Sequence, residues 1–229
     1  MRIKSVLLLA GGLVLAVALL IVLLLVPVRA SGEANTSVAQ TVSDTEDVKQ
    51  EETPMIETTR APLPSEPSVS TVTFPTTDDL TITADLYWTG EANAPFILLF
   101  HQADYSRGEY LEIAPKLNAL GYNCLAIDQR SGGVANGVKN ETYQAAKSAG
   151  LQTGYIQAYP DLESALDYVM QTYMPSQLIV WGSSYSSSLA LILASEHPDE
   201  ISAVLAFSPG EYFKLDGKHV ADYAANITR

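Results

Sequence analysis

One stretch, Gln177-Leu-Ile-Val-Trp-Gly-Ser-Ser-Tyr-Ser-Ser-Ser-Leu-Ala-Leu191, constrains this chain more than any other. Leu178 to Trp181 is a short apolar run and reads as a buried strand. Gly182 to Ser186 turns sharply, and Ser187 to Glu196 reads as a small-residue helix rich in Ala and Leu. A strand, a tight turn and a helix with Ser184 at the apex form the layout of a nucleophile elbow. The turn brings the backbones on its two sides together, so the residues two before and two after the apex must be small. Gly182 and Ser186 are both small. The second position is usually glycine, so Ser186 adds a hydroxymethyl group where space is short. In this layout Ser184 holds its hydroxyl clear of the sheet, and the Tyr185 N–H, at the helix start, points at any oxyanion formed on it. The plain alternative is a serine-rich loop, since five of residues 183–188 are serine. The surrounding order of elements has to decide.

The 229 residues are 47% hydrophobic and 17% charged, which suits one globular domain with accessory segments. A net charge of −13 leaves no basic patch to neutralise phosphates, so nucleic acid is not an expected partner. The single cysteine, Cys124, rules out an internal disulfide and a cysteine-based metal site. It falls inside an apolar strand pattern, where packing is its expected role.

Residues 1–29 read as a transmembrane anchor or a signal segment. Val6 to Val26 is uncharged, and at ~1.5 Å per residue it spans ~30 Å of hydrocarbon, more than a signal-peptide core needs. Arg2 and Lys4 favour a cytoplasmic N-terminus and an extracytoplasmic remainder. The alternative is a secreted protein cleaved near Val28-Arg-Ala30. Residues 30–69 read as a disordered acidic Ser/Thr/Pro linker. Ser31 to Ser70 holds eight acidic residues, two basic ones and four prolines, without a sustained apolar period. Asn35, Asn140 and Asn226 each begin an Asn-x-Ser/Thr pattern, open to glycosylation if the host performs it.

From residue 70 to 229 the chain reads as a folded α/β domain. Val69–Phe74 and Leu80–Trp88 alternate apolar and polar residues around Pro75–Asp79, which predicts an antiparallel hairpin. Phe96–Phe100, Asn123–Ile127, Leu178–Trp181 and Ile201–Phe207 are continuous apolar runs, as in strands covered on both faces. Helical spacing is expected over Tyr110–Leu120, with Leu111, Ala114, Leu117 and Leu120 on one face, and over Pro160–Tyr173. Val134–Gly154 shows little period and reads as irregular or weakly helical. Strand and helix then alternate, which gives a mostly parallel sheet with helices on both faces.

Phe96–Phe100 followed by His101-Gln-Ala, Asp128-Gln-Arg-Ser-Gly-Gly133, Gly182-Ser-Ser-Tyr-Ser186, and Ile201–Phe207 followed by Ser208-Pro-Gly occur in an order that resembles the α/β-hydrolases, in particular the broad dienelactone-hydrolase-like or esterase-like group. The resemblance implies that Ser184 is the nucleophile. It also implies an oxyanion hole made by the Tyr185 N–H and an N–H of Ala103 or Gln102. The family's acid follows a late strand and its histidine a loop after the last strand. Only about 159 residues follow position 70. The expectation is therefore a C-terminally truncated domain lacking its last strands, its catalytic acid and its base. It is also expected to fold poorly, with Ile201–Phe207 as an unpaired apolar edge.

Within the chain, His219 is a candidate base, and Asp216 and Asp222 are candidate acids. His101 reads as structural in the oxyanion loop and His197 as a partner of a helix C-terminus. Asp128 reads as fixing the turn that contains Arg130. Tyr105, Tyr110, Tyr185 and Tyr212 are candidates for a cleft lining. No residue cluster suggests a cofactor or metal. The expected function is a membrane-anchored extracytoplasmic serine hydrolase acting on a small-molecule ester or similar acyl bond, inactive as this fragment. The alternatives are a non-catalytic binding domain or remnant of the same fold and, with less to motivate it, a stalk protein.

Overall fold

The computed structural model describes residues 63–227. The stretch read as an anchor or signal, most of the linker and Asn35 lie outside the described residues. Among those described, no helix is long and apolar enough to cross a membrane.

Six strands build the sheet that positions the site. β1 (Ser68–Pro75) and β2 (Thr81–Trp88) form the antiparallel hairpin that the alternating pattern predicts. β2 continues antiparallel onto β4 (Asn123–Ile127), and β4 runs parallel to β3 (Phe96–Phe100). Two residue pairs, Val134–Ala135 (β5) and Val138–Lys139 (β6), make a separate small hairpin. β7 (Leu178–Ser183) lies parallel beside β3, and β8 (Ala203–Phe207) closes the order β1-β2-β4-β3-β7-β8. The chain moves from β3 to one side and returns across it to β7. The carboxyl ends of β3 and β7 thus flank a topological switch point, where open α/β sheets collect ligands.

The ordered chain reaches back into the stretch read as linker. The indole of Trp88 donates to the Pro64 carbonyl at 2.7 Å, and Leu63 packs against the core. A buried indole N–H needs an acceptor, and this segment supplies it.

Helices cover both faces. α1 (Ala114–Ala119) packs Ala114 and Leu117 onto a cluster with Ile97, Leu99, Cys124 and Trp181. The opposite face carries α3 (Tyr159–Thr172), α4 (Tyr185–Glu196) and α5 (Val220–Ala224). In α3 the fully buried Leu162, Ala165, Leu166 and Val169 recur at helical spacing. α4 is buried nearly all round, between the sheet and its neighbouring helices, which is why it lacks a polar stripe. Cys124 is buried, and burial pushes its thiol up to about 12, so it serves as packing.

Three sequence expectations need correction. The helix expected over Tyr110–Leu120 is a 3₁₀ turn (Arg107–Tyr110), a bend and then α1, so Leu111 and Leu120 are exposed. The stretch read as irregular or weakly helical does hold a helix, α2 (Glu141–Ser148), capped by the Asn140 side chain, which accepts from the Tyr143 N–H at 2.7 Å, but also the β5–β6 hairpin, which its pattern did not suggest. Asn140 is fully buried, and its amide donates to the Gln129 carbonyl at 2.8 Å, so the folded chain offers no glycan acceptor there. Asn226 is exposed. Third, β8 is not a covered strand. Ala203, Leu205 and Phe207 are exposed, and Phe207 leans on Trp181 with ring centroids 4.6 Å apart.

An apolar edge strand with an open face favours association through edge pairing. Leu205→Lys puts a charge on that face, at a side chain with 39% of its surface exposed. It is expected to lower self-association of the chain in light scattering while shifting the melting temperature by only a few degrees. Unchanged scattering would remove this edge as its cause.

Candidate functional site

Ser184 sits between β7 and α4 with φ 55° and ψ −122°. A serine side chain enters this region only with strain, on the order of 1–3 kcal/mol. The neighbours that enforce it are identifiable. A Cβ on Gly182 would lie 2.4 Å from the Ser187 Cα and 2.5 Å from the Ser186 carbonyl oxygen, so only glycine lets the strand pass so close to the helix. The Ser184 N–H donates to the Phe207 carbonyl (2.9 Å), and its own carbonyl accepts from the Ser187 N–H (3.1 Å) and hydroxyl (2.5 Å).

Ser186, the departure from the usual glycine, is accommodated by hydrogen bonding. Its Oγ is fully buried, accepts from the Ser183 N–H at 2.9 Å and donates to the Phe100 carbonyl at 2.8 Å. That second bond ties the turn to the end of β3, whose Phe100 is registered opposite Gly182.

This register brings the loop after β3 beside the turn after β7. Tyr185 opens α4, so its N–H has no carbonyl of its own helix to meet. The two candidate donors on the opposing loop differ. The Gln102 N–H is taken by the Glu109 carboxylate at 2.7 Å, whereas the Ala103 N–H has no acceptor among the described residues. Of the two expected donors, only the Ala103 N–H is open among the described residues.

Glu109 gave no signal in the sequence, since a lone glutamate beside Gly108 follows no period. It is largely buried, which pushes its carboxyl above the usual carboxylate range, while the Gln102 N–H and the Ser183 hydroxyl pull it down. The loop also rests on a polar network beneath it. The Gln129 N–H donates to His101 Nε2 at 3.0 Å, so Nε2 is unprotonated and Nδ1–H donates to the Gln102 carbonyl at 2.8 Å. The Gln129 side chain accepts from the His101 N–H at 2.9 Å and donates to the Tyr185 hydroxyl at 3.0 Å. Tyr185 in turn donates to the Ser131 carbonyl at 3.0 Å. One glutamine therefore fixes the ends of β3 and β4 against the residue after Ser184. Gly132 is needed for this closeness, because a Cβ there would lie 2.4 Å from the Tyr105 carbonyl.

The other candidates have different partners. Asp216 occupies a left-handed turn position (φ 49°) between Leu215 and Lys218, and Asp222 accepts from the His219 N–H at 2.8 Å as part of the α5 cap. His219 is about half exposed and faces Glu211 at 3.4 Å. His197 caps α4 and pairs with Glu200 at 2.7 Å. Among the described residues, none of the chain's three histidines hydrogen-bonds Ser184.

Asp128, expected to fix the turn that contains Arg130, reaches with its carboxylate to residues outside that turn. It accepts from Arg107 Nη1 (2.6 Å) and N–H (2.7 Å) and from the Glu141 N–H (2.8 Å). Arg130 is held instead by Asp161 at 2.7 Å and by both oxygens of Asp78 at 2.6 and 2.8 Å. Of the four tyrosines expected to line a cleft, Tyr110 and Tyr185 are fully buried, whereas Tyr105 and Tyr212 are exposed. Among the described residues no group of His, Cys, Asp and Glu is arranged to hold a metal ion.

Burial pushes the His101 imidazole down to about 4. The unfolded chain binds this proton below about 6.5 and the folded chain only below about 4, so His101 costs stability as pH falls through that window. Wild type is expected to lose on the order of 2 kcal/mol more than His101→Gln between pH 7 and 4.5, read from urea midpoints. Parallel losses in the two proteins would mean that His101 is not held neutral. In the same assay, Gly182→Val is expected to destabilise by several kcal/mol, because backbone rather than a flexible side chain stands in its way.

A family model described as the alpha/beta hydrolase fold matches residues 95–226. No curated protein matches the chain. Solved structures similar to it include a thermostable carboxyl esterase from Bacillus coagulans, 18% identical over 60% of this chain and 43% of that one, with a TM-score of 0.48. An esterase of Pyrococcus furiosus is 21% identical over 64% of this chain and 53% of that one, also at 0.48. A dienelactone hydrolase from Anabaena variabilis is 19% identical over 61% and 62%, again at 0.48. The chain thus spans between 43% and 62% of the length of these proteins.

Proposed function

The chain belongs to the α/β-hydrolase fold family, and from that premise we propose that it is a serine hydrolase acting on an ester or similar acyl bond of a small molecule. Ser184 is the nucleophile, and the N–H groups of Tyr185 and Ala103 receive the oxyanion. The observation that best supports this is the strained backbone of Ser184 at the β7–α4 junction, beside the loop that carries a free Ala103 N–H. Strain of this kind persists only where the surroundings enforce it, and it gathers at functional sites.

In this reading the Ser184 Oγ attacks the acyl carbon and its proton passes to a base. The carbonyl oxygen becomes negative between the two N–H donors, each worth roughly 10²–10³ in rate in such sites. The alkoxide leaves with a proton, and water then releases the acyl group from Ser184. Within the chain His219 stays the candidate base, its Nδ1 facing Glu211 at 3.4 Å, with Asp216 and Asp222 as candidate acids; His101 has both ring nitrogens engaged. The reading includes a single-pass anchor at residues 6–26 with the domain outside the cytoplasm. Secretion after cleavage is the alternative.

A second reading, a non-catalytic binding domain of the same fold, is favoured by one observation: no histidine reaches Ser184. A fluorophosphonate probe is expected to label the chain and to fail on Ser184→Ala with an unchanged melting curve. Equal labelling of both, or of neither, would overturn the nucleophile assignment. Hydrolysis of a short p-nitrophenyl ester no faster than by Ser184→Ala would favour the binding-domain reading.

A further inference from the structure

Tyr155 and Tyr212 stand at the carboxyl edge of the sheet with 40% and 48% of their surface exposed. The Tyr155 ring stacks on Tyr185 (centroids 4.5 Å, 19°) and meets Tyr212 edge-on (6.2 Å, 80°). Tyr185 is immobilised by burial and by its bonds to Gln129 and Ser131, so Tyr155 is a pre-ordered aromatic surface with one face already supported. Beside it lies a cleft of about 310 Å³ lined by Asp104, Ser131, Gly132, Tyr143, Thr153 and Tyr155. A cavity of about 150 Å³ already holds benzene, so this cleft admits a substituted ring.

The cleft is tied to the candidate site by one step along the chain and by one ring contact. Asp104 directly follows Ala103, and Tyr155 leans on the residue that directly follows Ser184. Its lining residues include two tyrosines together with the polar Asp104, Ser131 and Thr153. A plain alkyl chain gains nothing from those polar groups and desolvates them. A flat ring stacks on Tyr155 while its own hydroxyl finds a partner.

We propose that this cleft is a subsite for an aromatic ring bearing a hydroxyl group, so that the preferred substrates are hydroxyaryl esters. The proposal rests on the hydrolase reading for the word substrate, but the binding itself does not require turnover.

The test is made in Ser184→Ala, where an ester stays intact. Affinities for methyl 4-hydroxycinnamate, methyl cinnamate and methyl hexanoate are measured by ligand-observed NMR. The hydroxylated aryl ester is expected to bind at least tenfold more tightly than the hexanoate, with the unsubstituted cinnamate between them. Adding Tyr155→Leu is expected to lower the aryl affinity about tenfold and leave the hexanoate unchanged. Tyr155→Phe, which keeps the ring, retains the aryl affinity and guards against a folding defect, as does an unchanged melting curve. Equal affinities for the three esters, no measurable binding, or aryl affinity indifferent to Tyr155→Leu would each overturn the subsite. Tyr155-dependent aryl binding without fluorophosphonate labelling leaves the subsite standing and removes the hydrolase reading. Labelling without aryl preference does the reverse.

Discussion

At Ser184 the backbone turns from strand to helix in a conformation that suits glycine better than serine, and the neighbouring parts of the structure hold it there. The Phe207 carbonyl on β8 takes its N–H, Ser187 takes its carbonyl, and Ser186 fastens the turn to Phe100. The turn is thereby connected to β3, β7 and β8 at once. Strain of about 1–3 kcal/mol is small beside the burial of α4, which is why the fold can carry it. A looser turn would let the helix start elsewhere and would move the Tyr185 N–H away from the Ser184 hydroxyl.

The opposing loop is fixed by different means. Its path is set by polar groups buried under it: His101 held neutral between Gln129 and Gln102, and Glu109 occupying the Gln102 N–H. Because Glu109 satisfies Gln102, the Ala103 N–H is left as the open donor of that pair. Such networks act as a unit, and a buried group deprived of its partner costs more than the bond contributed. The two halves of the candidate site thus differ in character. One half is backbone strain, and the other is a satisfied polar lattice linked to the first through Gln129 and the Tyr185 hydroxyl.

Much of the fold was legible because apolar runs in buried strands and small residues around a tight turn leave strong local signals. Phe96–Phe100, Asn123–Ile127 and the strand–turn–helix around Ser184 belong to that class. Tyr110–Leu120 misled because apolar spacing cannot reveal that Ser106 caps a 3₁₀ turn first, with its side chain accepting from the Gly108 N–H. α2 did carry a signal: Asn140 before Glu141, Lys147 in the last turn and Gly150 beyond, a capped helix too polar to show a stripe. The partners of Asp128 and Arg130 could not be read, because they lie far away in sequence, at Arg107, Asp161 and Asp78. For the site, Ser184 and its following N–H were legible from the turn. Glu109 and Tyr155 were not, since their roles arise only when separate segments meet.

The central claim is that Ser184 is held in a backbone conformation that disfavours any side chain. Denaturant unfolding of Ser184→Gly against Ser184→Ala tests it directly, because both remove the hydroxyl and only glycine relieves the strain. The account predicts that the glycine variant is the more stable of the two by about 1 kcal/mol, against the usual cost of added chain entropy. A glycine variant less stable than the alanine one would contradict it.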